Sequence, residues 1–164
     1  MMAAMKIRHE LTYDAPRDEV HAMLADPSFR EKVCRAQDVL SVEATVQPQG
    51  EGMTVRVDQT QPAQGIPGFA KKIVGDEIRI IQTERWSDTS SAALDVEISG
   101  KPGHMKGTIT LSGDGTGTVE TVDGEVKVNI PLIAGKLEKL IVEMFTAAMK
   151  TEQKVGRAWL AGDR

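Results

Sequence analysis

The sequence predicts an α+β fold in which seven antiparallel strands pack against one long C-terminal helix, with two short helices following the first strand. Three observations carry this reading. After Pro131 the chain has no further proline, and Ile133, Leu137, Leu140, Ile141, Met144, Ala148, Val155 and Trp159 recur three or four residues apart. That spacing lays them along one side of a helix. Between Asp38 and Ile130 most of the apolar residues instead alternate with period two, the mark of half-buried strands. A long helix with one apolar side cannot stand alone in water, so it needs a comparably broad apolar partner, and only the strands can supply it.

Taken in order, residues 5–13 alternate cleanly, with Met5, Ile7, His9, Leu11 and Tyr13 on one face and Lys6, Arg8, Glu10 and Thr12 on the other. Asp14 and Pro16 form a helix-start signal, a capping side chain followed by a proline early in the first turn. The helix they open turns Val20, Met23 and Leu24 inward. Asp26-Pro27 is a second such signal, opening a short helix with Phe29 and Val33 on its apolar side. Leu40, Val42, Ala44 and Val46 then share a strand face, Gln47-Pro48-Gln49-Gly50 reads as a turn, and Met53, Val55 and Val57 return on the next strand. Residues 62–75 interrupt the pattern with prolines and glycines, and within them Phe69 and Ile73 lie four apart, as in one or two amphipathic turns. Residues 77–86, 92–98, 105–111 and 116–130 complete a run of hairpins, separated by turns such as Gly113-Asp114-Gly115. With no repeat, linker or low-complexity tract, residues 1–164 are expected to form a single domain.

Composition narrows the function classes. The 164 residues are 40% apolar and 27% charged, with 24 acidic and 20 basic side chains and a net charge of −4. This is ordinary globular composition, long enough to bury one core. No basic stripe or arm is present, so nucleic acid is not an expected partner. No apolar run approaches the ~20 residues of a membrane span, which argues against integral membrane association. The first residues, from Met1 to Glu10, lack the apolar core of a signal peptide. Cys34 is the single cysteine, so no internal disulfide can form, and a cytoplasmic location is the expectation. No pair of histidines or carboxylates has metal-ligand spacing, and neither a metal nor a cofactor is expected. Gly113-Asp-Gly-Thr-Gly117 lacks the lysine and following helix of a phosphate loop, and reads as a hairpin turn.

The order of elements resembles that of the START-like (SRPBCC, helix-grip) superfamily, which includes polyketide cyclases and aromatases, lipid-transfer domains and plant ligand carriers. More local likeness lies in Lys6-Ile-Arg-His-Glu-Leu-Thr-Tyr-Asp-Ala-Pro16, in Gly65-Ile-Pro-Gly-Phe69 ahead of Gln82-Thr-Glu-Arg-Trp86, and in residues 124–131 running into the helix. These are similar to an uncharacterised branch of the superfamily, a domain of unknown function. The resemblance spans essentially the whole chain. It implies a strongly curved sheet gripping the helix, with a cavity between them that binds an apolar small molecule. It carries over no catalytic residue.

Polar residues on otherwise apolar faces are the informative ones, because burying them unpaired is costly. His9 lies between Ile7 and Leu11 on the face assigned to the interior. It is either a wall histidine satisfied by one hydrogen bond or an acid–base group titrating near neutral pH. Tyr13 shares that face and either hydrogen-bonds a ligand or packs on the first helix. Ile78, Ile80, Gln82, Glu84 and Trp86 share a face of the fourth strand, where Glu84 is expected at a solvated rim. Gln59 and Gln82 are candidates to anchor the polar end of a greasy ligand. Leu137, Ile141 and Met144 would supply the helix side of the wall. Phe69 and Ile73 belong either to a cap that moves when ligand enters or to a rigid connection whose Phe69 plugs the core. Cys34 is expected to be a small inert side chain, His21 a solvated one, and His104 to face outward. Eight methionines suit an adaptable wall, although Met1, Met2 and Met5 belong to the start of the chain.

The expected function is therefore a non-enzymatic binder or carrier of an apolar small molecule, such as a lipid, isoprenoid or polyketide-like compound. The alternatives are a polyketide cyclase or aromatase-type enzyme using His9 or Glu84, and a protein-interaction module with a filled core and an exposed helix end near Trp159.

Overall fold

The computed structural model describes residues 4–164; Met1 and Met2 lie outside the described residues. The elements run β1 (Met5–Tyr13), α1 (Arg17–Leu24), α2 (Pro27–Arg35), β2 (Ser41–Gln49), β3 (Gly52–Pro62), α3 (Gly68–Val74), β4 (Glu77–Trp86), β5 (Ser91–Ile98), β6 (Gly103–Gly113), β7 (Thr118–Val128) and α4 (Ala134–Leu160). All seven strands join one antiparallel sheet in the order β1-β7-β6-β5-β4-β3-β2. Five successive hairpin pairings produce the meander from β2 to β7. The first strand then returns beside the last, with Met5 opposite Val126 and Tyr13 opposite Thr118.

Local chemistry explains several element ends. The Asp26 carboxylate accepts from the Ser28 backbone N–H at 2.9 Å, with Pro27 in the first turn of α2. Asp14 does not cap α1. That helix begins after Pro16, too far along for Asp14 to reach its first turn, and Asp18 and Glu19 complement its dipole instead. The Gln47–Gly50 segment is not a turn either: β2 continues through Pro48, and the chain reverses at Gly50 and Glu51. A proline is tolerated there because β2 is an edge strand and needs no outward backbone donor. Leu40 precedes this strand and is exposed rather than part of its inner face.

The sheet bends around α4. Gly107 and Gly124 face each other on β6 and β7, and a side chain at Gly107 would meet the Asp123 backbone, while one at Gly124 would come within 2.6 Å of the Lys106 carbonyl. Such close backbone approach is a means of curving a sheet. The core lies between the concave face and the helices, with Leu11, Val20, Leu24, Phe29, Val55, Leu94, Met105 and Val126 among its most deeply buried members. The C-terminal half of α4 is tied to the free edge of β1: the Thr12 N–H donates to Gln153 Oε1 at 2.9 Å, and Arg157 donates to the Thr12 carbonyl at 3.0 Å. Gly156 lets the helix approach closely, since a Cβ there would lie 2.7 Å from the Tyr13 ring. Near its other end, buried Glu138 accepts from the Val128 N–H at 2.9 Å. Trp159 is buried edge-on to Phe29 and is not an exposed contact. No helix among the described residues is long and apolar enough to cross a membrane.

Candidate functional site: a cavity between sheet and helix

Because α4 packs most closely on β1 and β7, a gap is left between it and the far side of the curved sheet. The result is a cavity of about 190 Å³ walled by α2, α3, α4 and the inner faces of β3 to β7. Ile80, Val96, Ile98, Leu137, Ile141, Met144 and Phe145 give it an aliphatic and aromatic wall. Its outer end lies by α3 and the β5–β6 connection, where Ile66, Ile73 and Lys101 retain contact with solvent. The volume is below the roughly 300–1,000 Å³ of sites for drug-sized molecules, so a compact occupant fits.

The inner end is polar and buried. Arg30, from the apolar side of α2, is 4% exposed and reaches Glu84 of β4, which is 1% exposed. Its two terminal nitrogens donate to Glu84 Oε2 at 2.8 Å and Oε1 at 2.7 Å, and its Nε donates to the Leu24 carbonyl at 2.8 Å. Gln82 Nε2 and Trp86 Nε1 complete the set of donors around Glu84, at 2.6 and 3.0 Å. Burial alone would raise the Glu84 pKa, but the Arg30 charge and these hydrogen bonds outweigh it and hold the carboxyl below its ordinary value. Arg30 stays charged for the same reason. This is a bidentate pair with its remaining valences satisfied, the condition under which a buried ion pair is tolerated.

Two more carboxyls line this end. Glu120 of β7 is 3% exposed and its Oε1 is buried without a hydrogen-bond partner. Glu152 of α4, its side chain 16% exposed, comes within 3.9 Å of Arg30. Burial, then the nearness of Glu152 and Glu84, pushes Glu120 well above the usual carboxylate range. Burial also raises Glu152, the attraction of Arg30 being too small to reverse it. The two carboxyls are hydrogen-bonded to each other, and joint ionisation of such a pair in a buried site is disfavoured. Tyr13 stands behind them with its hydroxyl buried and unpartnered, its pKa raised by burial and then by Glu152 and Glu120. Burial likewise raises the Cys34 thiol, which lines the cavity, to about 11, leaving it protonated.

Of the residues singled out from sequence, Gln59, Ile73, Gln82, Glu84, Leu137, Ile141 and Met144 line the cavity, and His9, Tyr13, Phe69 and Trp86 do not. His9 and Tyr13 lie on β1, which α4 covers directly, so neither reaches the gap. Glu84 is not at a solvated rim: it is at the closed end, paired with Arg30. Trp86 is buried behind Glu84 and edge-on to His21, which burial makes harder to protonate and which is not a solvated side chain. Phe69 does not plug the core. It is 38% exposed beside Lys136, and Ala70 is the buried residue of α3. Gln59 accepts from Gln61 at 2.9 Å.

Arg30, Glu120 and Glu152 were not picked out from sequence, yet two of them left a signal. Glu152 occupies the helical position between Ala148 and Val155 in the apolar stripe, and Glu120 shares a strand face with Val122, Val126 and Val128. A carboxylate in either series is the same kind of anomaly that drew attention to Glu84. Arg30 gave none, because an arginine next to Phe29 on a short helix is ordinarily solvated.

A curved antiparallel sheet gripping a long C-terminal helix around a partly polar cavity defines the START-like, helix-grip class. The chain is similar to the aromatase/cyclase Zhui from Streptomyces sp. R1128, with a TM-score of 0.65, 15% identity, and 99% of this chain and 100% of that one covered. It is also similar to a START superfamily protein from Mycobacterium smegmatis, with a TM-score of 0.57, 11% identity and coverage of 93% and 96%. At these identities the likeness concerns the fold alone. An uncharacterized protein of Mycobacterium tuberculosis is 25% identical over 122 residues, 70% of each chain. The chain belongs to the DUF2505 family, described as a protein of unknown function, which it matches over residues 8–160.

Proposed function

We propose that the protein binds a compact, mostly apolar small molecule in the space between the sheet and α4, holding it without chemical change. The observation that carries this is the cavity itself: aliphatic walls along its length and a small set of buried polar groups at its closed end. That division is the usual form of a small-molecule site, where apolar contact supplies affinity and a few polar groups orient the ligand. Leu137, Ile141 and Met144 would grip the apolar body, and Gln59 and Gln82 lie within the same wall. The adaptable methionine side chains suit ligands of varied shape.

The acid–base reading through His9 or Glu84 loses support from the same geometry. His9 is not in the wall, and Glu84 is held ionised by Arg30 with its oxygens occupied. A filled-core interaction module is disfavoured by the cavity and by the burial of Trp159. The test is to extract the purified protein with organic solvent, identify what is released by mass spectrometry, and add it back to ligand-free protein. Recovery of an apolar compound at a stoichiometry near one, lost in a variant whose cavity is filled, supports the proposal. Recovery of nothing, together with no saturable binding of any apolar probe, defeats it.

A further inference from the structure

The geometry points to a protonated amine, carried on an otherwise apolar molecule, as the group that the inner end of the cavity receives. This inference rests on the container reading above and names its ligand class.

The charges that line the cavity favour a cation. Among the described residues that line the cavity, the cations are Arg30 at the closed end and Lys101 at the exposed end. Against Arg30 stand three carboxyls, Glu84, Glu120 and Glu152. Glu84 holds both terminal nitrogens of the guanidinium in a bidentate pair, Glu152 lies 3.9 Å from one of them, and the Arg30 Nε is committed to the Leu24 carbonyl. A ligand carboxylate or phosphate would find that cation occupied and two further carboxyls beside it. A ligand ammonium would find a surplus of acceptors. With Arg30 and an ammonium facing Glu84 and a Glu120–Glu152 pair that keeps one proton, the buried end is electrically neutral, as a low-dielectric site requires.

Glu120 lines the cavity, and its Oε1 is buried with no hydrogen-bond partner. The Glu120 side chain is hydrogen-bonded within the Glu120–Glu152 pair, which leaves Oε1 without a partner of its own. Of the nearby donors, Gln82 and Trp86 both donate to Glu84, and the unpartnered Tyr13 hydroxyl stands behind the pair, outside the cavity lining. A divalent cation is not the missing partner, because among the described residues no group of three or more His, Cys, Asp or Glu is placed to hold a metal ion. An ammonium supplies both the N–H donors and the charge.

When no ligand is present, protons fill the same role on Glu120 and Glu152, so the amine and the proton compete. The other titratable or charged groups facing the pair are Tyr13 from β1, Arg30 and Cys34 from α2 and Glu84 from β4, with Arg157 of α4 acting on Tyr13. Tyr13 and Cys34 stay protonated through neutral pH, while Arg30 and Glu84 stay ionised. The pH dependence of amine binding is therefore assigned to Glu120 and Glu152.

The test uses three probes of one shape, hexylamine, 1-hexanol and hexanoate, titrated into the full chain by calorimetry between pH 6 and 8.5. The amine remains charged over that range, by analogy with lysine at about 10.4. The expected result is hexylamine binding about tenfold to a hundredfold tighter than 1-hexanol, the usual worth of a buried charged hydrogen bond, with hexanoate weakest. Hexylamine affinity should fall as the pH is lowered and 1-hexanol affinity should not. Glu120→Gln should bring hexylamine down to about the level that 1-hexanol shows in the same variant. Equal or tighter binding of 1-hexanol or hexanoate would overturn the inference and leave the container reading intact. So would a folded Glu120→Gln protein that keeps its amine preference. If none of the three binds, the container reading fails and this inference with it. Should Glu120→Gln not fold, the rank order and pH response of the unaltered chain decide the matter.

Discussion

Replacing Arg30 by methionine removes one buried charge and should destabilise the protein by about 3–5 kcal/mol, the usual cost of breaking a buried pair from one side. The structure gives the reason. Three hydrogen bonds of 2.7–2.8 Å are lost, and Glu84 keeps only Gln82 and Trp86 as donors, with no countercharge. Against a typical total of roughly 5–15 kcal/mol, this is a large fraction. Glu84→Gln should cost less than Arg30→Met, because Glu152 already lies 3.9 Å from the guanidinium and can ionise in place of Glu84. The double variant should be less destabilised than the sum of the singles by about 1–3 kcal/mol, since the pair shares one network. Urea unfolding at neutral pH, analysed at a common slope, measures all three differences. A loss below about 1 kcal/mol for Arg30→Met, or strict additivity in the cycle, would refute the assignment of this pair as the organising contact of the closed end.

Other outcomes follow from the same geometry. Glu120 and Glu152 have folded-state pKa values raised above the unfolded carboxylate range, so the stability they contribute is full below about pH 4.3 and is lost as pH rises through the folded-state values. Glu120→Gln should flatten that decline, which thermal unfolding followed from pH 5 to 8 will reveal; an unchanged profile would remove the carboxyl pair from the account. Glu84 has the opposite sign: its lowered pKa gives stability present above about pH 4.3 and lost as pH falls through the folded-state value. Gly156→Ala should destabilise by about 1–2 kcal/mol despite the better helix propensity of alanine, because its Cβ meets the Tyr13 ring at 2.7 Å; chemical denaturation that shows a gain would mean the helix is free to shift. Met144→Trp should fill the cavity and abolish binding of apolar probes with little loss of secondary structure, checked by calorimetry beside circular dichroism.

How much of this was legible in the sequence depended on whether a feature is periodic. The inner face of β4 could be read because Ile78, Ile80, Gln82, Glu84 and Trp86 repeat every second residue, and α4 could be read because its stripe repeats at helical spacing. The curvature of the sheet enters only through isolated glycines, Gly107 and Gly124, whose significance depends on their being opposite each other. The return of β1 beside β7 is a long-range pairing with no local signature. That pairing decides the site: it places α4 over β1, takes His9 and Tyr13 away from the cavity, and opens the gap on the β3–β5 side. Glu84 is anomalous in its apolar series, but its environment is not legible there, because its partner Arg30 lies 54 residues away. Charge pairs across such distances leave no pattern in one sequence. The unabsorbed acidic positions in otherwise apolar series, Glu120 and Glu152, were the available clue.

The measurement that bears most directly on the central claim is a methyl-resolved NMR titration of the protein with 1-hexanol and with hexylamine, using labelled isoleucine, leucine, valine and methionine. If the space between sheet and α4 is a ligand site, saturable shifts will concentrate on Ile80, Val96, Ile98, Leu137, Ile141 and Met144, and Met144→Trp will abolish them. Shifts confined to methyls outside the cavity, or none at concentrations that saturate ordinary apolar sites, would contradict the account.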